Sequence, residues 1–124
     1  MRPEPSPTSF SYSIEPSAGE LRVVGVGPLD LAARGVLCDA VRGVVEGQLQ
    51  GRTVVLDLTR VEMIDSSGLG ELVRALLIWD EQGASWKMLP SESVRRLLAL
   101  VGVGRFRSGG EHGGWLSSGG YPDE

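Results

Sequence analysis

Between Arg52 and Thr59 the chain reads Thr53-Val54-Val55-Leu56-Asp57-Leu58. Side chains of a strand alternate between its two faces, so three apolar residues in a row demand cover on both. A strand of this kind belongs in the middle of a mixed or parallel sheet. This requirement restricts the chain to folds in which helices are layered on a sheet.

The flanking segments supply the other elements. Phe10, Tyr12 and Ile14 alternate with Ser11 and Ser13, the period of a strand with one buried face. A turn at Pro16–Gly19 leads to a second strand, Leu21–Val26, expected as its hairpin partner. From Asp30, a candidate N-cap, the period lengthens: Ala33, Val36, Leu37, Ala40, Val41, Val44, Val45 and Leu49 form one helical face despite Gly35, Gly43 and Gly47. After the central strand, Leu69, Leu72, Val73, Leu76 and Leu77 mark a second helix, stopped at Gly83. A short strand over Ala84–Leu89 and a third helix with Val94, Leu97, Leu98 and Val101 follow, and Arg105-Phe106 begins a last strand. Strands alternating with helices predict an α/β fold with a mixed β-sheet of four to five strands and three to four helices packed on it.

The domain is expected over residues 9–107. Residues 1–8 hold three prolines and read as a flexible arm. Residues 108–124 read as a flexible Gly-rich tail, because six glycines fall between Ser108 and Gly120 with little to bury except Trp115 and Leu116.

Composition excludes several functions. A net charge of −4, with a single lysine among 12 cationic residues, provides no field for nucleic acid or an anionic membrane. No apolar run approaches the ~20 residues of a membrane span, so direct membrane insertion is not expected. The N-terminus lacks the apolar stretch of a signal peptide, and the expected location is cytoplasmic. Cys38 is the one cysteine and His112 the one histidine, which rules out an internal disulfide and a structural zinc site. Gly25-Val26-Gly27 has Asp30 where a dinucleotide loop needs glycine. The serines lack a hydrolase elbow, and His112 lies in the tail, so no catalytic residues are assigned and the chain is not expected to be an enzyme. Trp79 and Trp86 are read as packing residues, and Cys38 as a small core residue.

One segment carries chemistry: Val61-Glu62-Met63-Ile64-Asp65-Ser66-Ser67-Gly68-Leu69-Gly70, between the buried strand and the second helix. Ser66 or Ser67 falls where a hydroxyl would cap the helix. Gly68 and Gly70 permit a close approach to the backbone of the first turn. A phosphate on such a serine can be accepted by the fold, and would set nearly two negative charges beside Asp65. Asp65 itself either closes the turn or flanks the acceptor.

In strand-to-helix context, Asp65-Ser66-Ser67-Gly68-Leu69 resembles the motif of the STAS domains, and within them the single-domain anti-sigma factor antagonists of bacteria. Gly27-Pro28-Leu29-Asp30, Ser91–Leu97, and Val101-Gly102-Val103 with Phe106 resemble flanking segments of the family, so the likeness runs from about Phe10 to Phe106. The resemblance implies a partner-switching cycle. The unmodified protein binds an anti-sigma factor that is itself a serine kinase, and a sigma factor is released. Phosphorylation at Ser66 switches binding off, and a metal-dependent serine phosphatase restores it. Nucleotide and metal belong to those enzymes, and no cofactor is assigned to this chain. Partner-binding residues implied in this way are Asp30, Asp65, Ser66, Ser67, Gly68 and Leu69. On the structural side Ser67 is expected as the cap and Asp30 as the cap of the first helix. The alternative is a non-phosphorylated STAS subunit of a membrane lipid transport complex. The fourth helix many relatives carry is not expected, because no apolar helical period follows Phe106.

Overall fold

The computed structural model describes residues 8–47, 52–101, 108–109 and 115–117. Strands β1 (Ser11–Ser17) and β2 (Glu20–Val26) form an antiparallel hairpin closed by Ala18-Gly19, within the expected Pro16–Gly19 turn but tighter, because Pro16 and Ser17 still pair with Leu21 and Glu20. A single 3-10 turn (Leu31–Ala33) precedes helix α1 (Val36–Glu46). Then come β3 (Thr53–Arg60), α2 (Ser66–Glu81), β4 (Trp86–Pro90) and α3 (Glu92–Val101). β2, β3 and β4 are parallel neighbours, and the sheet order is β1-β2-β3-β4-β6-β5. The mixed sheet with helices packed on it is the predicted fold.

β5 (Ser108–Gly109) and β6 (Trp115–Ser117) lie within the segment read as a flexible tail. β6 pairs antiparallel with β4 at Lys87 and Met88, and β5 pairs with β6. An open edge of β4 would leave its N–H and C=O groups without strand partners, and a three-residue segment is enough to meet part of that need. The expected strand at Arg105-Phe106 and the other residues of 102–107 and 110–114 lie outside the described residues, as does Leu49 of the first helical face.

β3 is the centre of the sheet. Val54, Leu56 and Leu58 face the helices and join Leu21 and Val23 of β2, Trp86 and Met88 of β4, and residues of α1, α2 and α3 in one core. Val55 points to the other face and is equally buried. Further along that face Arg22 Nη1 donates to Asp57 Oδ2 (3.1 Å), and Glu20 links Arg22 to Lys87.

Two local readings are corrected. Of the expected buried face of β1 only Phe10 is covered; Tyr12 and Ile14 are 42% and 43% exposed. β1 is the outermost strand, and the helical layer packs on the inner ones. Phe10 instead folds over Gly25, where a Cβ would lie 2.8 Å from its ring. The first helix is also broken. Asp30 caps only the 3-10 turn, its Oδ1 accepting from Ala32 N (3.1 Å). Arg34 is extended and Gly35 takes a left-handed φ of 85°, after which α1 begins afresh.

Trp79 of α2 is fully buried, and its Nε1 donates to Val41 O of α1 at 3.0 Å. Trp79→Ala is expected to lower stability by about 3–5 kcal/mol, read as a shift of the urea midpoint. An unchanged midpoint would mean that α2 does not seat on α1 through this ring.

Candidate functional site

Two loops leave the same end of the parallel strands, and the backbone ties them together. Leu29 N donates to Met63 O (2.9 Å), Asp65 N donates to Leu29 O (3.2 Å), and Leu29 bridges Ile64 in parallel fashion. Leu29 and Val61 are buried beneath the junction. A third element braces it: Ser93 Oγ of α3 donates to Glu62 O at 2.7 Å. The Asp30 loop and the Asp-Ser-Ser-Gly loop are therefore one surface.

Asp65, not Ser67, caps α2. Its extended backbone precedes the helix, and its Oδ1 accepts from Gly68 N at 2.9 Å while its carbonyl accepts from Leu69 N at 2.8 Å. A carboxylate does this as well as a hydroxyl and adds a charge that suits the positive end of the helix. Ser66 and Ser67 are thereby the first two helical residues. Both are exposed, and among the described residues neither hydroxyl is engaged in a hydrogen bond.

Gly68 is buried, and the surface that approaches it is this chain's own. A Cβ at Gly68 would lie 1.9 Å from Leu29 O, so only hydrogen fits. Asp30 and Leu69 are half-buried beside it. Leu31 and Met63 are 63% and 45% exposed; Leu31 shares a hollow with the serines, whereas Met63 lines a separate one with Pro28 and Arg60. Sequence reasoning missed both, since neither belongs to a periodic apolar face. Leu31, Arg34, Ser66, Ser67, Gly70 and Arg74 line a shallow hollow of about 250 Å³.

A buried carboxylate near the site belongs to Glu71, which the sequence left unremarked as a charge on a helix. It is 1% exposed. Gly35, at the start of α1, has no side chain with which to cap, and the Glu71 carboxylate does so from α2: Oε2 accepts from Cys38 N at 2.9 Å, and Gly35 N–H also donates to the carboxylate. Arg74 Nη2 stands 3.5 Å from Oε1. Burial works to raise the carboxyl pKa, but the N–H groups of Cys38 and Gly35, with the Cys38 thiol and Arg74, outweigh it and hold Glu71 below its ordinary 4.5. The same burial, and then the adjacent carboxylate, push the Cys38 thiol up to about 11.

A family model described as Mlab, STAS domain, matches residues 10–108, and the chain belongs to the STAS domain family. Among solved structures it is similar to an anti-sigma factor antagonist from Mycobacterium paratuberculosis, with 24% identity and a TM-score of 0.65 over 79% of this chain and 82% of that one. It is also similar to the anti-sigma factor antagonist SpoIIAA in its unphosphorylated form (21% identity, TM-score 0.52, 76% and 83% covered). The phosphorylated form of the Bacillus cell fate determinant SpoIIAA matches at 17% identity and a TM-score of 0.52, with 76% and 86% covered. These likenesses establish a shared fold. No curated protein matches the sequence.

Two outcomes test the site's construction. Gly68→Ala is expected to cost about 1–3 kcal/mol or more by overpacking, because the Leu29 carbonyl must retreat and its bond from Asp65 N lengthens. Chemical denaturation and faster amide exchange at Asp65 would report both effects. For Glu71, a folded pKa held below the unfolded value means that its stabilisation is fully present above the unfolded pKa and disappears as pH falls through the folded one. Near neutral pH, Glu71→Gln should therefore be less stable than wild type by about 1–3 kcal/mol, and the gap should close on acidification. A gap independent of pH would remove the charge from the account.

Proposed function

We propose that this STAS domain is an anti-sigma factor antagonist controlled by phosphorylation at Ser66. The observation that supports it most directly is a free, exposed hydroxyl at the first residue of α2, on a backbone already capped by Asp65. A helix start that does not need its serine for capping can carry a phosphate there without losing the cap. Around it lies Leu31, an exposed apolar residue in the same hollow, with Asp30, Asp65, Ser67 and Leu69 close by. In this reading Gly68 serves the surface from beneath by drawing the two loops together.

The unphosphorylated surface binds an anti-sigma factor that is also a serine kinase, and a sigma factor is released. Phosphorylation adds about −1.5 to −2 charge at Ser66. Beside Asp30 and Asp65 this charge makes the surface repel an acidic or desolvated partner face, which costs several kcal/mol in a close interface. A metal-dependent serine phosphatase reverses the step. The chain acts as substrate and ligand in this cycle and catalyses nothing. Partner exchange of this kind takes place in the cytoplasm; no helix among the described residues is long and apolar enough to cross a membrane.

The test is incubation with ATP and the candidate serine kinases of the source genome, with phosphate mapped by mass spectrometry. Ser66 is expected to be modified, and Ser66→Ala to take up no phosphate while still binding the kinase. Ser66→Asp should weaken that binding about tenfold or more, ~1.4 kcal/mol. Incorporation into Ser66→Ala would move the acceptor elsewhere. Absence of incorporation with every kinase would favour the alternative, a STAS subunit that uses the same surface unmodified in a membrane lipid transport complex.

A further inference from the structure

Arg34 and Arg74 have no part in the cycle as described so far, yet both line the hollow that contains Ser66 and Ser67. Both also line the adjoining groove between α1 and α2, where Glu71 and Cys38 lie, so the two guanidinium side chains form the wall between these depressions. Arg74 is held facing the serines. Its Nη1 and Nη2 lie 3.7 and 4.0 Å from the Cβ position of Gly70, and its Nη2 is 3.5 Å from Glu71 Oε1. The guanidinium thus folds back over Gly70 towards the start of α2. Ser66 precedes Gly70 by one helical turn on the same face. Arg34 enters from the other side, where the 3-10 turn ends, and it is exposed and in no ion pair among the described residues.

We propose that Arg34 and Arg74 form an intramolecular clamp that binds the phosphate of phosphorylated Ser66. The inference rests on Ser66 being the modified residue. A phosphoserine dianion offers three strong acceptor oxygens, and guanidinium groups bind phosphate through paired N–H donors. Arg74 can be drawn from Glu71 without leaving that carboxylate unsatisfied, because Cys38 N and Gly35 N continue to donate to it. Gly70 allows the movement, since no side chain stands between Arg74 and the first turn. Phosphorylation then changes the docking surface twice: it adds negative charge, and it withdraws two positive charges that an unmodified partner would meet.

The experiment installs phosphoserine at position 66 during translation, so that no kinase is needed, and follows the second ionisation of the phosphate by phosphorus NMR at low salt. In the folded protein that ionisation is expected about 0.5 pH below its position in the urea-unfolded chain, because neighbouring cations favour the dianion. Arg34→Gln should return it part of the way and Arg34→Gln with Arg74→Gln nearly all of it, with circular dichroism confirming that each variant is folded. Coincident titrations of folded wild type and of Arg34→Gln would overturn the clamp. Because the phosphate is placed independently of any kinase, a failed clamp leaves the partner switch intact, and a failed switch does not alter the titration.

Discussion

The carbonyl oxygen of Leu29 occupies the space that a side chain on residue 68 would need. This contact determines how near the loop after β2 can come to the start of α2, and the junction depends on that distance. With the two backbones this close, Leu29 can donate to Met63 and accept from Asp65, which brings Leu31 into the same hollow as Ser66. Asp65 in turn is oriented to receive the N–H of Gly68. A motif that looks in sequence like a run of small polar residues is, in three dimensions, a joint between two loops with the exposed hydroxyl of Ser66 on its outer side.

Beneath the joint, Glu71 fastens the two helices together. It begins one turn into α2 and completes the hydrogen bonding at the start of α1, a task that Gly35 cannot perform. A buried carboxylate is costly without donors and favourable with several. Here the donors are backbone groups whose positions depend on α1 being helical, so helix and carboxylate stabilise each other. The surface around Ser66 consequently rests on a braced pair of helices.

The order of elements was legible because β3 has apolar residues on both faces and the three helices each show a helical period. The closing glycine of α2 was legible for the same local reason, and Gly83 follows α2 at a φ of 76°; the capping role of Ser91, whose Oγ accepts from Val94 N, was not read. What could not be read depended on where elements sit in space. Tyr12 and Ile14 alternate as a buried face should, but β1 is an edge. Ser67 has the chemistry of a cap, yet Asp65 stands one residue before the helix and takes the role. The proposed acceptor Ser66 rests on family resemblance in the sequence and on an unengaged hydroxyl in the structure. Glu71 carries no signal at all, since a glutamate just after the motif looks solvated until α1 is packed against it. The short strands within the Gly-rich segment escaped notice because three residues are too few to show a period.

The burial of Cys38 has a further consequence for the kinds of signal this chain can receive. With its thiol pushed up to about 11, roughly one molecule in ten thousand carries a thiolate at neutral pH. Peroxide and disulfide reagents attack the thiolate, so thiol chemistry has almost nothing to act on among the described residues. A redox signal aimed at thiols therefore finds no entry among the described residues, whereas the half-exposed thioether of Met63 stays open to oxidation.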